Sequence, residues 1–235
     1  MLGLIVCAST GCVIVVPEVA KQYNLQCVDA LAANDLDQAD VLCDHALEYQ
    51  SEYWDALNNK GIIALRRGNE KAAKQFFIHA IRANNDMAQA YVNLCRMALD
   101  KADFMNARDN CLAALRINPD FAEARHNLGL AYLRLNRLDD AEKAFRHLVA
   151  SSPGLSQGYA NVGAVMLAKQ KPTEALGWFD KALLLEAGYA DAWKGRAFAL
   201  ETLGQRGEAV SAYQSCSEFA PGDLECRQGL TRLSE

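Results

Sequence analysis

Small apolar residues recur along the chain with a period of 34 residues. Counted from Ala20, Trp54, Ala88, Ala122, Ser156 and Ala190, the twentieth position is alanine every time: Ala39, Ala73, Ala107, Ala141, Ala175 and Ala209. The eighth position is also small (Cys27, Gly61, Cys95, Gly129, Gly163, Ala197), and the twenty-fourth is mostly aromatic (Phe77, Phe145, Phe179, Tyr213). The twenty-seventh is mostly alanine (Ala46, Ala80, Ala114, Ala182). This spacing predicts two antiparallel helices per repeat. Small residues at positions eight and twenty let the backbones approach, and the ring at twenty-four fills the space beside them. Pro119, Pro153 and Pro221 at position thirty-two close the second helix, because proline removes a donor and disfavours helix in the residue before it.

A 34-residue unit of this composition resembles the tetratricopeptide family over residues 20–223. The resemblance implies an all-α, right-handed superhelical solenoid of six helix-turn-helix repeats, 20–53, 54–87, 88–121, 122–155, 156–189 and 190–223. Residues 224–235 begin a seventh unit that stops after one helix, as expected of a cap over the last apolar face.

Composition narrows the function. The 235 residues are 51% apolar and 23% charged with a formal net charge of −5, which excludes disorder for most of the chain. The mild acidity offers no basic stripe to a phosphate backbone, so nucleic acid is not the expected partner. No glycine-rich phosphate loop, nucleophile elbow or HExxH helix occurs. His45, His79 and His147 share position twenty-six of different repeats and cannot converge on a metal. His126 alone points toward the inner face, where a solitary imidazole reads as a polar contact. The expectation is a protein-binding module without enzymatic activity, cofactor, metal or small-molecule substrate.

Six of the eight cysteines fall in register. Cys27 and Cys43 occupy positions eight and twenty-four of the first repeat, and Cys95 and Cys111 the same positions of the third. With a turn near position sixteen, positions summing to about thirty-two face one another, and both pairs satisfy that rule. Cys216 and Cys226 satisfy it across the next turn. Three disulfides are expected, and they imply an exported protein. The competing readings are buried cysteine acting as a small apolar residue, and metal binding, which lacks accompanying histidines.

Residues 1–19 precede the first repeat and read as a targeting or anchoring segment, with residues 1–16 largely apolar. Ser9-Thr10-Gly11-Cys12 resembles the lipobox of bacterial lipoproteins, with Ser9 where that family prefers leucine. The resemblance makes Cys12 the acylated residue, and Val13 after it points to the outer rather than the inner membrane. An uncleaved membrane anchor is the alternative.

The inner surface of such a solenoid is where extended or helical segments bind. Its expected lining is an apolar track through Val28, Leu31, Ile62, Leu65, Leu99, Leu130 and Leu133. Beside it run the amides of Asn59, Asn93, Asn127 and Asn161, able to pair with a peptide backbone, and at the edge Arg66, Arg96 and Arg134. The lysine and asparagine of the family's chaperone-tail clamp, at positions five and nine, are missing: those pairs read Asn24 and Val28, Asn58 and Ile62, Val92 and Arg96.

Six repeats, a lipobox-like segment and export cysteines together resemble the pilotin lipoproteins of type IV pilus systems. That resemblance implies a lipid anchor on the periplasmic face of the outer membrane and a secretin subunit as the protein partner in the groove, with promotion of secretin assembly as the function. A periplasmic scaffold for another cell-envelope assembly is the alternative, and a cytosolic adaptor is a third, which would require free thiols.

Overall fold

The computed structural model describes residues 5–8 and 11–234, with side chains described for residues 15–233. Thirteen helices lie among them: α1 (Glu18–Ala32), α2 (Leu36–Tyr49), α3 (Trp54–Arg66), α4 (Glu70–Ala83), α5 (Ala88–Asp100), α6 (Phe104–Ile117), α7 (Ala122–Arg134), α8 (Leu138–Ser151), α9 (Ser156–Ala168), α10 (Pro172–Leu185), α11 (Ala190–Thr202), α12 (Arg206–Phe219) and α13 (Leu224–Ser234). Two strands, β1 (Ile5–Ala8) and β2 (Gly11–Ile14), pair antiparallel with Cys7 opposite Cys12. The chain forms two compact units. One runs to Asp100 and takes in Ala113–Pro119; the other holds Lys101–Leu112 and the chain from Asp120 onward.

Each repeat turns at the same place. The residue at position fifteen has positive φ in all six repeats: Asn34, Gly68, Ala102, Asn136, Gln170 and Gly204. A left-handed residue ends the first helix by folding the next N–H back onto its carbonyls. Accordingly Asn69 N donates to Ala64 O at 2.8 Å and Lys171 N to Met166 O at 2.9 Å. Where position sixteen is Asp or Asn its side chain starts the second helix: Asp35 Oδ1 accepts from Gln38 N at 3.0 Å, and Asn69 Oδ1 from Ala72 N at 3.2 Å.

The core follows the small positions. All six alanines at position twenty are fully buried. The rings of Phe77, Phe145 and Phe179 lie on the glycines at position eight, so close that a Cβ on Gly129 would fall 2.4 Å from Phe145 Cε1. Phe179 is wedged from both sides, since a Cβ on Gly195 of the next repeat would lie 2.3 Å from it. In the first and third repeats cysteine stands at both positions in place of glycine and ring. Cys27 is bonded to Cys43 with Cα atoms 5.5 Å apart, joining α1 to α2. Cys95 and Cys111 are each disulfide-bonded. Cys216 is bonded to Cys226, Cα atoms 6.1 Å apart, which ties α13 to α12.

The cap has further ties. Arg232 pairs with Glu201 at 2.7 Å, and Lys194 with Asp223 at 2.9 Å. Tyr213 is buried beneath Gly229 and donates its hydroxyl to Glu201 at 2.8 Å. The N-terminal segment is less separate than expected. Val16 is buried with Ala20, Ala46, Tyr53 and Ala56, so the stretch immediately before α1 belongs to the core of the first repeat. The side chain of Cys12, together with Ser9 and Thr10, lies outside the described residues. Among the described residues no helix is long and apolar enough to cross a membrane.

Candidate functional site

The first helices of the repeats present positions six, nine and twelve on one face. In the first unit Val28 on α1 is exposed, while Ile62 and Leu65 on α3 and Leu99 on α5 are half-buried. Ile62 and Leu65 pack on the cluster of Leu57, Phe77 and Met97 and keep only one side in solvent. In the second unit Leu130 and Leu133 on α7 and Leu167 on α9 do the same against Phe145, Val165 and Phe179. Phe198 on α11 is exposed and meets the Tyr213 ring edge-on at 5.8 Å between centroids.

Leu31 departs from this expectation. It is 6% exposed, closed in by Cys27, Ala39, Cys43 and Ile63, and is core rather than surface. Position twelve of the first repeat is enclosed with the bridged cysteines and Ile63 of the next repeat and is not open to solvent.

The asparagines differ from expectation as well. Asn59, Asn93 and Asn127 are buried, and the donors of the first two turn to the neighbouring repeat rather than to solvent. Asn59 Nδ2 donates to Asn24 Oδ1 and Asn93 Nδ2 to Asn58 Oδ1, each at 2.9 Å. Asn161 Nδ2 donates to His126 Nδ1 at 3.0 Å, which puts the imidazole proton on Nε2. These are rungs from position six of one repeat to position five of the repeat before. Asn127 Nδ2 is buried without an acceptor among the described residues. A buried primary amide satisfied in this way fixes the stacking of one repeat on the next. Burial of His126 in its rung lowers its pKa below the usual 6.5.

The arginines are partly committed. Arg66 Nη1 donates to Leu31 O at 2.7 Å and so neutralises the carbonyl end of α1. Arg96 and Arg134 are exposed. Glu201, at position twelve of the sixth repeat, has its carboxyl held below the ordinary range by Arg232, opposed by partial burial and assisted by the Tyr213 hydroxyl. His45 and His79 lie away from this face, paired with Glu48 and Glu52 at 3.0 and 3.1 Å. Cys216, Asp223 and Cys226 have ligand atoms close enough to share a metal ion, but both sulfurs are in the bridge and Asp223 is held by Lys194.

The fold is that of a tetratricopeptide-repeat protein. Two tetratricopeptide-repeat family models match the chain, at residues 55–87 and 93–156. The DnaJ homolog subfamily C member 7 homolog of Schizosaccharomyces pombe is 26% identical over 204 residues, 85% of this chain and 38% of that protein. The Protein O-mannosyl-transferase TMTC3 of Mus musculus is 25% identical over 151 residues, 58% of this chain and 16% of that one. The chain therefore spans well under half of the curated relatives it matches. Among solved structures, Pseudomonas aeruginosa PilF superposes with a TM-score of 0.79 at 17% identity, covering 92% of this chain and 98% of PilF. PilW, described as a widely conserved type IV pilus biogenesis factor, gives 0.80 at 16% identity, covering 91% and 99%. YrrB, described as a tetratricopeptide-repeat protein with an unusual peptide-binding site, gives 0.62 at 24% identity over 74% of this chain and 89% of YrrB.

Proposed function

We propose that this chain is a protein-binding scaffold of the pilotin kind. It is anchored by a lipid on Cys12 at the periplasmic face of the outer membrane, and it receives secretin subunits on the faces of its first helices. The observation that carries this reading is the likeness to PilF and PilW, which reaches across nearly the whole of both those chains as well as of this one. The cysteines support it, because six disulfide-bonded cysteines among the described residues fit an oxidising compartment. The apolar positions of each face support it further. A pore-forming subunit exposes amphipathic strands or helices before it assembles, and half-buried leucines with one side open give such a segment somewhere to bury.

The test is secretin multimer formation in cells carrying variants of this chain. Leu99→Glu and Leu130→Glu should abolish multimers. Val28→Glu changes an exposed side chain that supports no core, so it should reduce multimers with no loss of helicity by circular dichroism. Normal multimers with all three variants would overturn the assignment.

A further inference from the structure

A second apolar surface lies on the second unit, away from the leucines of the first helices. It is the edge where second helices end and first helices begin. Leu184, at the end of α10, is 87% exposed, and Leu185 beside it is 47% exposed. Phe219, the last residue of α12, is 48% exposed, and Leu224, the first of α13, is 64% exposed. Phe219 lies over the α10–α11 turn that follows Leu184 and Leu185, where a Cβ on Gly188 would be 3.4 Å from its ring, and Leu224 follows Phe219 by five residues. Leu184 and Leu185 pack on no buried cluster, unlike Leu183 before them. Tyr49, at the position equivalent to Leu185 and Phe219 in the first repeat, stacks on Tyr23 with centroids 5.8 Å apart.

The charge around these side chains is predominantly negative. Lys194 sits among three carboxylates, Asp223 at 2.9 Å and Asp191 and Glu225 each at 3.3 Å. Glu186 and Glu218 add two more and make no ion pair among the described residues; Glu186 accepts only the Ser156 hydroxyl. Lys181, one turn before Leu184 and Leu185 on α10, Lys194, and Arg227, three residues beyond Leu224 on α13, are outnumbered by these five. Several large apolar side chains left open together on one edge mark an interaction site, and a rim of carboxylates selects for positive charge in what covers them.

We infer that this edge docks a basic amphipathic segment of a partner protein, with apolar side chains laid on Leu185, Phe219 and Leu224 and lysine or arginine facing Glu186, Glu218 and Glu225. The inference is independent of the pilotin reading, because it uses neither the leucines of the first helices nor the lipid anchor. An anionic bilayer is the wrong occupant for this rim, as like charges would meet.

The experiment titrates the full chain with two labelled synthetic amphipathic helices, one of leucine and lysine and the other of leucine and glutamate, and follows fluorescence anisotropy. The lysine peptide should bind, more weakly as salt rises, and the glutamate peptide should not. Leu184→Ser with Phe219→Ser should weaken binding by about tenfold or more, as loss of an aromatic anchor does; Val28→Ser on the other surface should leave it unchanged. Glu218→Lys with Glu225→Lys should shift the preference toward the glutamate peptide. Leu184, Glu218 and Glu225 are exposed and Phe219 is half in solvent, and the variants should keep the helicity of the parent by circular dichroism. Equal binding by the edge variants would overturn the inference. So would dimerisation of the chain through the same side chains, which would make a second copy the occupant.

Discussion

Position fifteen shows how one backbone conformation is served by different side chains. Its left-handed φ is supplied without strain by Gly68 and Gly204 and at small cost by Asn34 and Asn136, whereas Ala102 and Gln170 carry the full Cβ penalty. Gln170→Gly should therefore stabilise the protein by about 1 kcal/mol, seen as a higher urea midpoint with unchanged slope; a lower midpoint would contradict the turn geometry. His126 gives a second prediction. Its folded pKa is depressed, so its contribution to stability is complete above the unfolded value of 6.5 and is lost as pH falls through the folded value. His126→Asn would restore the asparagine rung seen twice in the first unit. The variant should lose less stability than the parent between pH 7 and pH 5, measured by denaturant titration at both; parallel losses would show that the ring is not desolvated. Neither feature is evident from the repeat alignment. Asparagine at position six looks like a surface amide when repeats are read singly, because its partner is thirty-five residues away in the preceding repeat.

At the scale of the helical pair, the sequence was most legible. The mirror rule that pairs position eight with twenty-four depends only on a turn near position sixteen, and the glycine–phenylalanine contacts follow it. Position twelve alone places Leu31 on the inner face and does not show that Cys27, Ala39, Cys43 and Ile63 enclose it. The cap shows what a bridge does for an element. α13 keeps its ion pairs to Glu201 and Lys194 when the sulfur bond is removed, so it should stay docked but open more often. Cys216→Ser with Cys226→Ser should cost about 2–3 kcal/mol and speed hydrogen exchange in α13 while leaving the amides of α9 protected. Equal acceleration in both helices would mean that the cap stabilises the whole stack and not its own end.

At the scale of the whole molecule, a 34-residue period of small residues is enough to specify the architecture, since each repeat buries its faces against the next and few other arrangements satisfy all six alanines at once. Function is less legible because tetratricopeptide repeats use the same core for many partners, and the partner is met by side chains that the core does not constrain. Export, bridging and lipid anchoring of the proposed scaffold are all addressed by one measurement, the intact mass of the native, membrane-extracted protein before and after reduction. The expected chain begins at Cys12, is heavier by a lipid, and gains six hydrogens when the bonds at Cys27, Cys43, Cys95, Cys111, Cys216 and Cys226 are opened. A chain that retains residues 1–11, carries no lipid and gains no hydrogens on reduction would contradict the proposal and leave a reduced, unanchored repeat adaptor in its place.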